Sequence, residues 1–182
     1  MSVVITGNPG VGKHTITHEI AYKLKLSVID INAVAKDSGL FEKNQDTNDI
    51  DVKKLEKILK EKISEKNIIV GHLAPYVLRK NQIKVMIVLR RSPYDLISVY
   101  KDREYSDKKC KENTGSEILG IIAHDAINKF QEKVFEINVT EKTIPTVVKQ
   151  IMQVIAQNDG NEQVDWLELV KKNNDIGKFF VD

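Results

Sequence analysis

The chain of 182 residues has one cysteine, Cys110, which excludes an intrachain disulfide and fits a reducing compartment. That cysteine lies in a lysine-rich polar stretch with no identifiable base beside it, the setting of a surface thiol rather than a nucleophile. An excess of one charge is also missing. The 28 Lys and Arg nearly balance the 26 Asp and Glu, so no bulk field draws the chain onto nucleic acid and any RNA contact has to be local. No apolar run approaches the roughly 20 residues of a membrane span. The first glycine-rich turn opens at Gly7, which leaves no room ahead of it for a secretory signal. These absences predict a cytoplasmic protein without a membrane segment. Low-complexity tracts and internal repeats are missing as well, and 41% hydrophobic with 30% charged residues is the composition of a folded chain with one real core.

Periodicity supplies the elements. Ser2 to Thr6 is a short β-branched run ended by glycine, the pattern of a buried strand. Ile16, Ile20, Ala21 and Leu24 then place one apolar face on a helix over 13–24. Strands are predicted over 27–31, 68–70, 85–89 and 134–139. Helices are predicted over 51–65, from the Ser92-Pro93 start, over 114–131 and over 140–157. Strands alternating with amphipathic helices argue for an α/β fold with a five-stranded parallel sheet covered on both faces. Residues 1–157 form the main domain in this reading. The polar break at 158–161 introduces a C-terminal helical extension, 158–182, whose Trp166, Leu169 and Val170 are expected to pack on the parent domain.

Gly7-Asn8-Pro9-Gly10-Val11-Gly12-Lys13 has the spacing G-x-x-x-x-G-K between a predicted strand and a predicted helix, the context that a phosphate-binding loop requires. Backbone amides in such a loop form a concave anion site, glycine lets the backbone approach closely, and the helix N-terminus adds partial positive charge. Lys13 is placed to reach the terminal phosphates of a bound nucleoside triphosphate. The residue after the lysine is normally Ser or Thr, whose hydroxyl helps to hold magnesium, but this chain has His14 followed by Thr15. Imidazole is a poor ligand for that hard ion. Contact with a phosphate oxygen and simple space filling both remain open for His14.

The segments GNPGVGK at 7–13, VIDINAVAKDSGLF at 28–41, GHLA at 71–74, VLR at 88–90 and DREYSDKKCKENTGSEI at 102–118 resemble the small adenylate-kinase-like proteins of archaea and the eukaryotic nucleus, the coilin-interacting nuclear ATPase family. The likeness spans roughly residues 1–155. It implies a P-loop nucleoside monophosphate kinase fold with an AMP-receiving excursion at about 30–53 and a lid at about 103–113. It also implies ATP and magnesium as ligands and AMP as acceptor. By position, Gly10, Val11, Gly12, Lys13, His14 and Thr15 would line the ATP phosphates, with Thr15 nearest the metal and Arg103 entering from the lid. Lys13, Arg103, His72 and Arg90 are the candidate catalytic residues. Arg90 qualifies by its place at a strand's carboxyl end, where open α/β sheets bind ligands.

The implied activity is phosphoryl transfer from ATP to AMP with slow ATP hydrolysis. The implied cellular role is maturation of the small ribosomal subunit, with a platform ribosomal protein and small-subunit rRNA as partners. Three positions depart from the family pattern: His14, Val70 where an acidic residue precedes His72 by two, and Val99 where an arginine precedes the lid arginine by four. All three weaken catalysis rather than binding, so a catalytically impaired ATP-binding assembly factor is the alternative. Asp30, at the end of the second strand, is a candidate substitute for the acid missing at 70. Lys108, Lys109 and Lys111 fall in the lid, open to phosphate, RNA or water.

Overall fold

Alternation along five parallel strands divides the core between two faces of one sheet. The computed structural model describes residues 1–43 and 48–180, with residues 41–43 and 48–50 described by backbone alone. Strands β1 (Ser2–Thr6), β2 (Ser27–Asp30), β5 (Asn67–Val70), β6 (Ile83–Arg90) and β7 (Val134–Asn138) lie in the order β2-β5-β1-β6-β7, all neighbours parallel. Val3, Ile5, Ile68, Val85, Ile87, Leu89, Phe135 and Ile137 face one layer, built by α1 (Lys13–Leu24), α5 (Pro93–Asp102) and α8 (Ile144–Gln157). Val4, Ile69, Met86 and Val88 face the other, where α2 (Ile31–Asp37), α3 (Val52–Lys62), α4 (Ala74–Val77) and α7 (Ile121–Phe130) pack. Because β1 is central, the turn that follows it opens at the middle of the sheet's carboxyl edge, the usual place for ligands in this architecture.

Several helix boundaries differ from the sequence reading. The helix expected over 114–131 is two helices, α6 (Asp107–Ile118) and α7, broken at Leu119 and Gly120. Gly120 sits in the left-handed region at φ 63°, and the amides of Leu119 and Gly120 close back on the carbonyls of Gly115 and Glu117. An isoleucine stripe running through Gly120 hid this stop. The last sheet-covering helix begins at Ile144, later than expected, because Glu141 is left-handed at φ 57° and Thr143 provides the cap. Pro93 does open α5, yet the Ser92 side chain makes no cap bond; instead its amide donates to Thr140 Oγ1 at 2.8 Å.

The excursion expected over 30–53 contains α2 and an antiparallel pair, β3 (Phe41–Lys43) and β4 (Asn48–Ile50); its residues 44–47 lie outside the described residues. Asp30 caps α2 by accepting from the amides of Asn32 (2.8 Å) and Ala33 (3.3 Å). The expected lid is not a long loop. Residues 103–106 turn between α5 and α6, and the remainder is the first two turns of α6, capped by Ser106. At the C-terminus α9 (Trp166–Lys172) and α10 (Ile176–Phe180) bury Trp166, Val170 and Phe179 with Ile118 of α6. The Tyr94 ring of α5 meets Phe179 edge-on, with centroids 5.3 Å apart.

Candidate functional site

The turn after β1 is held open by side chains that capture its carbonyls. Lys13 Nζ donates to Asn8 O at 3.0 Å, Tyr100 OH to Pro9 O at 2.7 Å, and Arg91 Nη1 to Gly10 O at 3.3 Å. No backbone carbonyl among the described residues accepts from the amides of Asn8, Gly10, Val11 or Gly12. Backbone donors without partners are rare inside proteins, and a row of them before a helix N-terminus suits an anion. The glycines are required by geometry. A Cβ on Gly7, where φ is 135°, would stand 2.4 Å from the Leu89 carbonyl oxygen. One on Gly10, at φ 85°, would meet Tyr100, Leu96 and Val99 at 3.0 to 3.2 Å. Val99 thus packs beneath the loop, where the family's second arginine was expected.

This turn forms one wall of a cleft of about 790 Å³, within the roughly 300–1,000 Å³ of small-molecule sites. Gly10, Gly12, Lys13, His14 and Thr15 line it, with His72 from the end of β5 and Arg103 from the turn between α5 and α6. Asn32, Tyr76 and Ile122 line it too, as do Lys108 and Lys109 from the first turn of α6. Most residues singled out in the sequence therefore converge on one cavity. Val11 turns its side chain into the core, leaving only its amide to the loop. Lys109 lies 4.0 Å over the Tyr105 ring, which stacks on Tyr100. Cys110 is half-buried, and burial followed by the charge of Asp107 raises its thiol above the ordinary range.

Arg90 does not join the cleft. It is 3% exposed, with Nε donating to Glu117 Oε1 at 2.9 Å, Nη2 to the Glu117 carbonyl at 2.8 Å and Nη1 paired with Glu136. Its position at a strand end is as expected, but the buried carboxylate of Glu117 and the partly buried one of Glu136 claim its guanidinium. The candidate catalytic role is corrected accordingly: Arg90 is a buried ion-pair residue behind the loop. Sequence reasoning also missed Glu117 and Asn8. Glu117 is wholly buried, and its Oε2 accepts from Asn8 Nδ2 at 2.7 Å.

Burial, then the nearby Arg103, pushes Lys13 down to about 8. The ammonium form binds phosphate, so affinity for ATP is expected to be level below pH 8 and to fall above it. Between pH 7 and 9 titration should record about a tenfold loss; a level affinity through pH 9.5 would contradict the burial of this group. His72 is pushed down to about 4 by burial and by Lys13, so it presents a neutral imidazole near neutral pH. His14 Nε2 lies 2.9 Å from Asp30 Oδ2, and Asp30 stands in register beside Val70. Among the described residues no three His, Cys, Asp or Glu are grouped to hold a metal ion. The Thr15 hydroxyl lines the cleft and fits magnesium that arrives on a polyphosphate, whose phosphates supply most of its hard ligands, whereas both Asp30 oxygens are engaged, by the α2 amides and by His14.

Comparison with known proteins places this geometry. The sequence signature of the AAA domain matches residues 3–120. A Methanococcus maripaludis protein named "Putative adenylate kinase" is 33% identical over 178 residues, covering 92% of this chain and 96% of its own. The chain belongs to this adenylate-kinase-like family. A Thermococcus onnurineus member with the same name is 30% identical, covering 92% of each chain. Among solved structures, shikimate kinase from Bacteroides thetaiotaomicron superimposes with TM-score 0.55 at 17% identity, covering 86% of this chain and 98% of that one. A Sinorhizobium meliloti gluconokinase gives 0.51 at 16%, covering 86% and 92%. These likenesses carry the P-loop kinase fold: a parallel sheet with the phosphate loop after its central strand. No helix among the described residues is long and apolar enough to cross a membrane.

Proposed function

We propose that the chain transfers the terminal phosphoryl group of ATP to AMP across this cleft, with slow ATP hydrolysis when the acceptor is absent. The observation that carries the reading is a single cavity lined both by the phosphate loop, with its unpartnered amides and buried lysine, and by a residue with an unsatisfied polar atom. That atom is Asn32 Oδ1, buried without a hydrogen-bond partner among the described residues, and it suits a donor such as a nucleoside hydroxyl or amino group. An oxygen of the AMP phosphate attacks the γ-phosphorus, the bond to the β–γ bridging oxygen breaks, and ADP is both product and leaving group. Phosphoryl transfer of this kind depends on positioning and charge neutralisation more than on covalent assistance.

In this reading the amides of Gly10, Val11 and Gly12 cradle the ATP phosphates, and Lys13 follows the charge on the terminal ones. Arg103 closes from the turn before α6. His72, neutral, orients a water or a γ-phosphate oxygen. The Thr15 hydroxyl would help to hold magnesium arriving on the phosphates, which would supply neutralisation of their charge. The test is ADP production from ATP with and without AMP in the presence of magnesium. ADP should form in an AMP-dependent way and fall on the order of 10² in Lys13→Ala. Equal ADP with and without AMP would remove the transferase reading.

The pairing of His14 with Asp30 and the apolar Val70 favour a second reading. With few oxygens left for the metal, the chain would bind ATP, turn it over little and act as an assembly factor. The partners implied by the family resemblance, a ribosomal protein or small-subunit rRNA, belong to this reading. Its test is a pull-down with and without ATP, and recovery of neither partner counts against it.

A further inference from the structure

The side chains of Asn8, Glu117 and Trp166 form a continuous buried chain from the phosphate loop to the C-terminal helices. Asn8 is fixed at both ends of its amide: Nδ2 donates to Glu117 Oε2 at 2.7 Å, and Oδ1 accepts from Ser116 Oγ at 3.0 Å. The other carboxylate oxygen, Oε1, accepts from Arg90 Nε at 2.9 Å, from the Arg91 amide at 3.0 Å and from Trp166 Nε1 at 3.0 Å. Every oxygen of this carboxylate is thereby occupied, at full burial. Hydrogen bonds of this charged kind are stronger than neutral ones, and a fully satisfied buried network fixes a single arrangement. Trp166 lies outside the stretch that matches the AAA signature, residues 3–120, and does not line the cleft.

We propose that Glu117 is the positioning residue of the phosphate loop, and that Trp166 makes α9 part of the nucleotide site by holding Glu117 in place. The carboxylate fixes Asn8, whose carbonyl receives Lys13, so the loop's shape and the ammonium's resting place both depend on a group in α6 steadied from the C-terminus. The consequence for ATP rests on the nucleotide reading above; the consequence for loop shape does not.

Trp166→Phe keeps an aromatic side chain in the α9 cluster while removing the indole N–H together with the pyrrole ring that carries it, and the β6 comparison separates the lost bond from a general loosening. Hydrogen exchange of the nucleotide-free variant should be about tenfold faster at the two amides that tie the loop to its surroundings, Ile16 bonded to the Gly12 carbonyl and Arg91 bonded to Glu117 Oε1, while exchange in β6 stays as in the unaltered chain. Unchanged loop exchange, or equal acceleration in loop and β6, would overturn the proposal. The variant should also bind ATP about tenfold more weakly, the scale of one hydrogen bond to a charged group; unaltered affinity would overturn the link to the nucleotide. Trp166 is the only tryptophan, so its fluorescence in the unaltered chain should change on ATP addition and lose that change in Asn8→Ala. A fluorescence change that survives in Asn8→Ala would refute the route through Glu117. An unaltered chain that binds no ATP would defeat the nucleotide reading, whereas the exchange comparison decides the positioning role without any nucleotide.

Discussion

Lys13→Met is expected to abolish measurable ATP binding and at the same time to raise the melting temperature. Lys13 is 6% exposed and its ammonium is held down to about 8, so the folded chain carries a charge that it would shed readily. The sign follows from linkage. The unfolded chain keeps the proton to higher pH than the folded one, so between pH 8 and the ordinary lysine range stability rises with pH, and below pH 8 the full penalty is present. At pH 7 the shift corresponds to up to about 3 kcal/mol. Methionine fills similar space without the charge, forfeiting the bond to Asn8 O and the weaker attraction of Asp30 and Glu117, which burial already outweighs. Each kcal/mol recovered moves the transition by about 2–4 °C at this chain length. Binding should weaken at least about a hundredfold, because the only buried cation of the loop is gone. Calorimetric titration and a thermal melt on one preparation check both halves; a melting temperature that falls would show that the lysine stabilises the empty loop.

Arg90→Met is expected to do the opposite kind of damage. It leaves the Glu117 and Glu136 carboxylates buried without their cation, and breaking such a pair from one side costs about 3–5 kcal/mol. Burial already raises the carboxyl of Glu136 despite the neighbouring arginine, which indicates how poorly this region tolerates an uncompensated negative charge. The neighbouring Arg91, partly exposed and 3.4 Å from Asp95, provides the comparison: Arg91→Met should stay within about 1 kcal/mol. Denaturant unfolding distinguishes them. Equal losses from the two variants would mean that Arg90 is not the ion-pair centre described.

These outcomes trace what the sequence could reveal. The phosphate loop was legible because its chemistry is local: strand, glycines, lysine and helix lie within two dozen residues, and Gly7, Gly10 and Gly12 all take a positive φ that favours glycine. The strands were legible because each alternates between two apolar layers. Arg90 was legible only as a strand-end cation; what it meets comes from α6 and β7, distant in sequence. Glu117 was hidden for a related reason, since a carboxylate reads as solvent-facing in any polarity pattern, and its burial depends on donors from four separate elements. Gly120 did carry a signal, a lone glycine inside a helical stripe, and the isoleucines on either side outweighed it. Trp166 was read as packing onto the parent domain, and it does so, but its polar nitrogen has a partner that periodicity cannot disclose.

The central claim, that donor and acceptor phosphates meet in one cleft, is tested most directly by titration with two adenosines joined through five phosphates. The account predicts one molecule bound per chain, tighter than ATP or AMP alone and displacing both. Two molecules per chain, or ATP that remains bound at saturation, would contradict it.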